Sequence, residues 1–147
     1  MASGEEAPIR LLQGDKTGLA DPHGIAVDGK NDLIFNRTDQ GHVQPRAVMA
    51  GPKTGLTSFS PIQVYPPRGE IIAAVPGRSE ELSTASAFVG VWSINDKGDI
   101  PPRWTIGGPQ GMLKKPRGVT LDPKNKTLMV SDKYLNAVLT YYFPQIF

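Results

Sequence analysis

One short segment occurs twice in this chain, 37 positions apart, and the repeat constrains the possible folds more than any other feature. GDKTGL begins at Gly14 and GPKTGL begins at Gly51, and each copy is followed by an Ile-x-Val triplet. A weaker third copy begins at Gly108, 94 positions after the first. Internal repeats with periods of about 20 to 50 residues are typical of solenoids, propellers and other arrays of small units. The sequence therefore predicts three repeated units.

The repeated segment has some of the residues of a phosphate-binding loop, but in the wrong order. That loop needs a glycine followed by Lys and then Ser or Thr at the start of a helix. Here Lys16 and Lys53 precede the second glycine of each copy, and no amphipathic helix pattern follows. Nucleotide binding is not expected.

The composition favours an all-β fold in a single globular domain. The 147 residues include 16 Gly and 14 Pro, which helix interiors tolerate poorly, and no long apolar stripe of helical period is present. Hydrophobic residues make up 39% and charged residues 20% of the chain, as in globular proteins. The absence of cysteine excludes disulfides and thiolate chemistry, and leaves the redox compartment open.

Net charge and hydropathy say little about location. The formal charge of +2 is too small to argue for nucleic acid or for an anionic membrane. No apolar run reaches the roughly 18 residues of a membrane span, and the first ten residues lack a signal-peptide pattern. We expect a soluble chain, with an exported origin left open.

Each repeat is predicted to form an antiparallel meander. Strand-like segments recur in the same order: IRLL, RAVM and RWTI before the glycine-rich turns, then GIAVD, PIQVY and GVTLD, then LIF, EIIAAV and LMV. The longer second repeat has room for a loop over Pro76–Thr84 and another strand over Ala87–Ile94. Because several strands are continuously apolar, both of their faces should be covered. Meanders stacked face to face are typical of β-propeller blades.

Two segments carry a family resemblance. LADPHGIAVDGKNDLIF and LKKPRGVTLDPKNKTLMVSD resemble NHL-type repeats of bacterial propeller proteins, through Pro22, Gly24, Asp28, Pro116, Gly118, Asp122, Ser131 and Asp132. The second repeat departs from the pattern, with Tyr65 where the others have Asp. The resemblance implies a half-propeller over residues 9–147, with repeats at about 9–46, 47–102 and 103–147 after a flexible N-terminus at 1–8.

Propellers close with about four to eight blades, so three blades predict association. The expected product is a homodimer with a six-bladed ring, in which the N-terminal strand of each copy completes the last blade of the other. The residues expected at that closure are Ile9, Leu11, Leu12, Val138, Leu139 and Tyr141. Open head-to-tail assembly is the rival arrangement.

Loops from several strands should meet on the channel face of such a ring. The candidate ligand-binding residues there are His23, Asn36, Arg37, Asp39, Arg78, Arg117, Asp132 and Lys133. We expect a binding or scaffold module for a protein, a peptide or a small ligand, with no catalytic residue, no cofactor and no membrane partner assigned.

Two alternatives remain open at this point. Lactonase-like propellers are metal-dependent hydrolases or lyases, and Asn36 with Asp132 would be the best calcium ligands here, whereas the repeated Asp28 and Asp122 are expected to cap turns. Some NHL-type propellers bind RNA on a basic face. The arginines and Lys133 would supply that charge, but Glu80, Glu81, Asp39 and Asp132 offset it, so nucleic acid is not expected.

Overall fold

The computed structural model describes residues 7–19, 35, 38–56, 60–77, 84 and 86–147, and within them the chain is all-β. It contains two antiparallel sheets, one of four strands and one of three. Among the described residues, helical structure is limited to one four-residue α-helical turn, α1 (Gly108–Gly111), and three 3-10 turns at Asp15–Thr17, Pro66–Arg68 and Pro144–Ile146. Residues 20–34, 36 and 37 of the first predicted repeat lie outside the described residues, and they include the segment GIAVD and most of LIF.

The first sheet is a four-stranded meander whose strands follow chain order. Its strands are β1 (Ile62–Tyr65), β2 (Glu70–Pro76), β3 (Ala87–Ser93) and β4 (Trp104–Gly107). The β1–β2 hairpin and the strand predicted to start at Ala87 are confirmed. Pro76, which was predicted to begin a loop, is instead the last residue of β2 and is paired with Ala87.

The second sheet is a three-stranded meander formed by the C-terminal part of the chain. Its strands are β5 (Pro116–Asp122), β6 (Thr127–Asp132) and β7 (Ala137–Tyr142). The register shifts between Pro116 and Gly118 and is regular from there on. Three four-stranded meanders were predicted. The described residues form one meander of four strands and one of three, and neither sheet closes on itself within this part of the chain.

One hydrophobic core lies between the two sheets. The first sheet contributes side chains of β2 and β3, and the second contributes Leu128 and Val130 of β6. Four consecutive residues of β2, from Ile72 to Val75, are buried, which confirms that both faces of this strand are covered. Leu113, Phe143 and Ile146 complete the core from segments outside the strands.

Two predicted strands are present only as single bridges. Of RAVM, only Met49 forms a β-bridge, with Gly98, and of IRLL, only Leu12 does so, with Gly41. Both bridges are parallel. RAVM is therefore not a strand in the described chain, because no neighbouring strand lies beside it to extend the ladder. IRLL was expected to pair with a second copy, so its strand stays a prediction.

Candidate functional site

The repeated G-x-K-T-G-L segment forms the same turn in both copies. The hydroxyl of Thr17 donates to the carbonyl of Gly14 at 2.7 Å, and the hydroxyl of Thr54 donates to the carbonyl of Gly51 at 2.7 Å. Each hydroxyl also accepts from the amide two residues later, at 3.2 Å and 3.1 Å. Both threonine side chains are buried. The motif is therefore a turn stabilised by its threonine.

The glycines of this turn meet two structural requirements. Gly18 and Gly55 end the turn at φ 66° and 65°, a left-handed conformation that glycine adopts without strain. Gly51 lies against Asp99, and Gly14 lies against His42, so closely that a Cβ atom at either glycine would overlap the facing side chain. Asp99 and His42 thus cover equivalent positions in two repeats.

In the repeated segment that begins at Gly51, backbone amides already have a hydrogen-bond acceptor within the protein. Oδ1 of Asp99 accepts from the amide of Lys53 at 2.7 Å and from that of Thr54 at 3.3 Å. These are the groups that a bound anion would need, because exposed amides of a glycine-rich turn attract negative charge. In the segment that begins at Gly51, an internal carboxylate takes that place.

Asp132, one of the predicted channel-face residues, is buried and fully hydrogen-bonded. Its Oδ2 accepts from the amides of Lys114 and Lys115 at 2.7 Å and 2.9 Å. Its Oδ1 accepts from the amides of Tyr134 and Leu135 at 3.0 Å and 3.1 Å. Four donors converge on this carboxylate, so it fastens two loops together and has little capacity left for a cation.

Asp122 caps the β5–β6 turn, as predicted. Its Oδ1 accepts from the amides of Lys124 and Asn125, and its Oδ2 accepts from the Asn125 side chain at 2.6 Å. The hydrogen bonds from Asn125, above all that of its side chain, lower the pKa of the Asp122 carboxyl. Asp28, its predicted counterpart, lies outside the described residues.

A shallow groove at one end of the second sheet brings together three of the predicted ligand-binding residues. Its lining consists of Arg117, Ser131, Asp132, Lys133, Asn136, Ala137 and Val138. The side chains of Arg117 and Lys133 are exposed and give the groove positive charge. Asp39 lies elsewhere, is half-buried and does not line the groove. His23, Asn36, Arg37 and Arg78 lie outside the described residues.

Two further groups have surroundings that were not anticipated from the sequence. Glu70 is 7% exposed, and its Oε2 has no hydrogen-bond partner among the described residues. Burial raises the pKa of this carboxyl, against the opposing effect of Arg68 and Arg103. Tyr141 donates its hydroxyl proton to the carbonyl of Gly111 at 2.5 Å, and burial raises its pKa as well. A charged residue at the start of an apolar strand was the only sequence signal for Glu70.

In the part of the chain that the structure describes, no strand pairs with the outer edge of β7, and the residues predicted to close a ring have different environments. Val138 is 69% and Tyr142 is 72% exposed, whereas Leu139 and Tyr141, on the opposite face, pack against the core. In the N-terminal segment, Ile9 is 91% and Leu11 is 54% exposed. Leu12 is half-buried at its bridge with Gly41.

Within the described part of the chain, no group of three or more His, Asp or Glu side chains is arranged to hold a metal ion. None of the helices described is long and apolar enough to cross a membrane. Comparisons with protein-family models, with curated proteins and with solved structures gave no match.

Proposed function

We propose that this chain is a self-associating β-propeller module of the NHL-like kind that binds a protein, a peptide or a small ligand. Two copies contribute three blades each to a six-bladed ring. The observation that carries the proposal is the difference between the two sheets: the first has a fourth, outer strand on β3, whereas no described residue pairs with the equivalent edge, that of β7.

The packing of the first sheet supports this arrangement. Val89 and Val91 of β3 face the second sheet and are fully buried in the common core. The hairpin registers make Val138 and Thr140 their counterparts on β7, and both are exposed. The face of β3 that packs against the second sheet is buried, and the corresponding face of β7 is exposed. This exposed face could therefore pack against a further sheet of the same kind.

The solution mass tests the proposal directly. Light scattering on the full chain should give twice its monomer mass of 15.9 kDa. Deletion of residues 1–13 should produce monomers or aggregates, because the open edge and the exposed face of β7 would lose their cover. Deletion of residues 1–5 is the matched control and should leave the mass unchanged. A monomeric full chain, or a stable dimer of the longer deletion, would contradict the proposal.

The ligand site of this module is proposed to include the groove at Arg117 and Lys133. The double variant Arg117→Ala/Lys133→Ala should abolish ligand capture while leaving the mass and the melting temperature unchanged. Lys124→Ala/Lys126→Ala removes the same charge from the β5–β6 turn, which lies at the other end of these strands, and serves as the control. Equal loss of capture in both double variants would argue for unspecific electrostatic attraction.

Two results would redirect the assignment. Stoichiometric calcium or zinc that survives dialysis would favour the metal-dependent hydrolase. Binding of a labelled single-stranded RNA whose affinity falls steeply with added salt would favour an RNA-binding module.

A further inference from the structure

The two parallel bridges define how the N-terminal segment is oriented. Gly41 donates to the carbonyl of Leu11 at 2.7 Å and accepts from the amide of Gln13 at 3.3 Å. The bridge at Met49 has the same pattern, with Gly98 donating to Val48 at 2.8 Å and accepting from Ala50 at 3.2 Å. Leu12 and Met49 thus occupy equivalent positions, 37 residues apart.

The third repeat shows which strand pairs with the other edge of the segment that contains Leu12 or Met49. Ile106 follows Leu12 by 94 positions, the offset of the third repeat, and it lies in β4 opposite Val89 of β3. In extended backbone, the amide and carbonyl groups of successive residues point to opposite edges. Since Leu11 and Gln13 bond to Gly41, the backbone groups of Leu12 point away from that bridge.

The counterpart of Val89 on the second sheet follows from the hairpin registers. The β1–β2 turn pairs Tyr65 with Glu70, and the β5–β6 turn pairs Asp122 with Thr127, so the two hairpins align with an offset of 57. Ala74, which pairs with Val89, then corresponds to Ser131, which pairs with Val138. Val138 is therefore the position on β7 that an equivalent of Ile106 would face.

We propose that residues 9–13 of one copy add to β7 of a second copy as an antiparallel fourth strand, with Leu12 opposite Val138. The inference rests on the proposed function and specifies its interface. In the same register, Leu11 lies opposite Leu139, Arg10 opposite Thr140 and Gln13 opposite Ala137. The partner's Gln13 would then border the groove that contains Arg117 and Lys133, so that each ligand groove includes residues of both copies.

The available surface fits a second copy. Four exposed side chains, those of Ile9, Leu11, Val138 and Tyr142, provide on the order of 500 Å² of surface at each junction, and a two-fold dimer has two junctions. Together with the exposed face of the second sheet, this reaches the roughly 1,200 Å² that a specific interface needs. Two-fold closure also leaves neither β7 edge open.

Cysteine crosslinking tests the register, because the chain contains no cysteine of its own. Leu12→Cys and Val138→Cys are introduced into separate copies, which carry different tags and are co-expressed and mildly oxidised. A disulfide between these copies can form only in trans. The mixed pair should give about tenfold more crosslinked dimer than the controls, since opposed Cα atoms lie within disulfide range.

Two control pairs differ only in register. Leu11→Cys with Val138→Cys places the thiols on opposite faces of the sheet, and Leu12→Cys with Thr140→Cys places them on one face but shifted by two residues. Stronger crosslinking of either control pair would overturn the proposed register. A full chain that light scattering shows to be dimeric would then leave the proposed function standing, whereas a monomeric chain would remove both.

Discussion

Oδ1 of Asp99 lies 2.7 Å from the amide nitrogen of Lys53, 46 residues earlier in the chain. This contact joins the loop between β3 and β4 to the turn that precedes the first sheet. Together with the hydrogen bond from the Thr54 amide at 3.3 Å, it caps this turn from a distant loop. The stability of the turn should therefore depend on Asp99.

Asp99→Ala should lower the free energy of unfolding by about 1–3 kcal/mol, because the amides of Lys53 and Thr54 lose a charged acceptor. Asp99→Asn keeps one acceptor oxygen and should be less destabilising. Urea denaturation followed by circular dichroism measures both changes. Lys97→Ala, an exposed substitution in the same loop, should have almost no effect. Equal stability of Asp99→Ala and the wild type would show that the contact contributes nothing in solution.

His42→Asp should stabilise the chain by about 0.5–1 kcal/mol. His42 covers Gly14 as Asp99 covers Gly51, and an aspartate there would offer the turn the carboxylate that the second repeat already has. Thermal melts of His42→Asp and His42→Ala give the comparison. If both variants are destabilised equally, the imidazole itself is required and the equivalence of the two turns does not extend to their caps.

Thr54→Val should cost about 1–3 kcal/mol, although the two side chains have nearly the same shape. The valine cannot replace the hydroxyl that bonds Gly51 and Leu56, so the Gly51 carbonyl would keep only the Thr54 amide as a donor and the Leu56 amide would lose its acceptor. Thr54→Ser retains the hydroxyl and should cost less. The order of the two urea midpoints decides the matter, and a more stable valine variant would mean that packing of the methyl group outweighs the hydrogen bonds.

Gly90→Ala should destabilise the first sheet by about 1–3 kcal/mol, because its Cβ would overlap the ring of Trp92. The Trp92 ring is fully buried, and its Nε1 donates to the carbonyl of Ile100 at 3.1 Å, so it has little freedom to move. The fluorescence spectrum of the folded variant should also change. Gly98→Ala is a poor control because its φ is 75°, whereas Ala73→Gly tests simple loss of a methyl group in the same sheet.

The pH dependence of stability should include a contribution from Glu70. Burial raises its pKa above the ordinary value of about 4.5, so folding favours the protonated carboxyl. This contribution is fully present below the ordinary pKa, and it is lost as pH rises from there through the raised pKa. Glu70→Gln stays neutral, so its stability relative to the wild type should increase between pH 4 and pH 7 in urea titrations. Parallel profiles would contradict the assigned shift.

The sequence predicted those elements whose signals are local. The β1–β2 and β5–β6 hairpins were predicted as parts of antiparallel meanders, and both are present, with turns at Pro66–Gly69 and Pro123–Lys126 that Pro, Gly and Asn favour. The strand from Ala87 was predicted because it is continuously apolar. The segments around Leu12 and Met49 were predicted as strands on equal grounds, yet each makes a single bridge, because a ladder also needs a neighbour that sequence pattern does not identify.

The candidate site was less predictable, since its contacts join distant residues. Asp132 was assigned to a channel face, although its bonds to the amides two and three residues later follow the same local pattern that had identified Asp122 as a turn cap. Applying that pattern would have found half of its hydrogen bonds. The other half, from Lys114 and Lys115, and the pairing of Asp99 with Lys53 depend on tertiary structure.

The two parallel bridges close loops of very different length with the same hydrogen bonds. Leu12 and Gly41 are 29 residues apart, and Met49 and Gly98 are 49 residues apart. By the logarithmic dependence of loop-closure entropy on length, the longer loop costs only about 0.5 kcal/mol more. The bridge and its turn can therefore accept insertions of some 20 residues between their two halves at the free-energy cost of less than one ordinary hydrogen bond. Variation in length among repeats of this kind is thermodynamically inexpensive, and new loops can be acquired there without changing the turn.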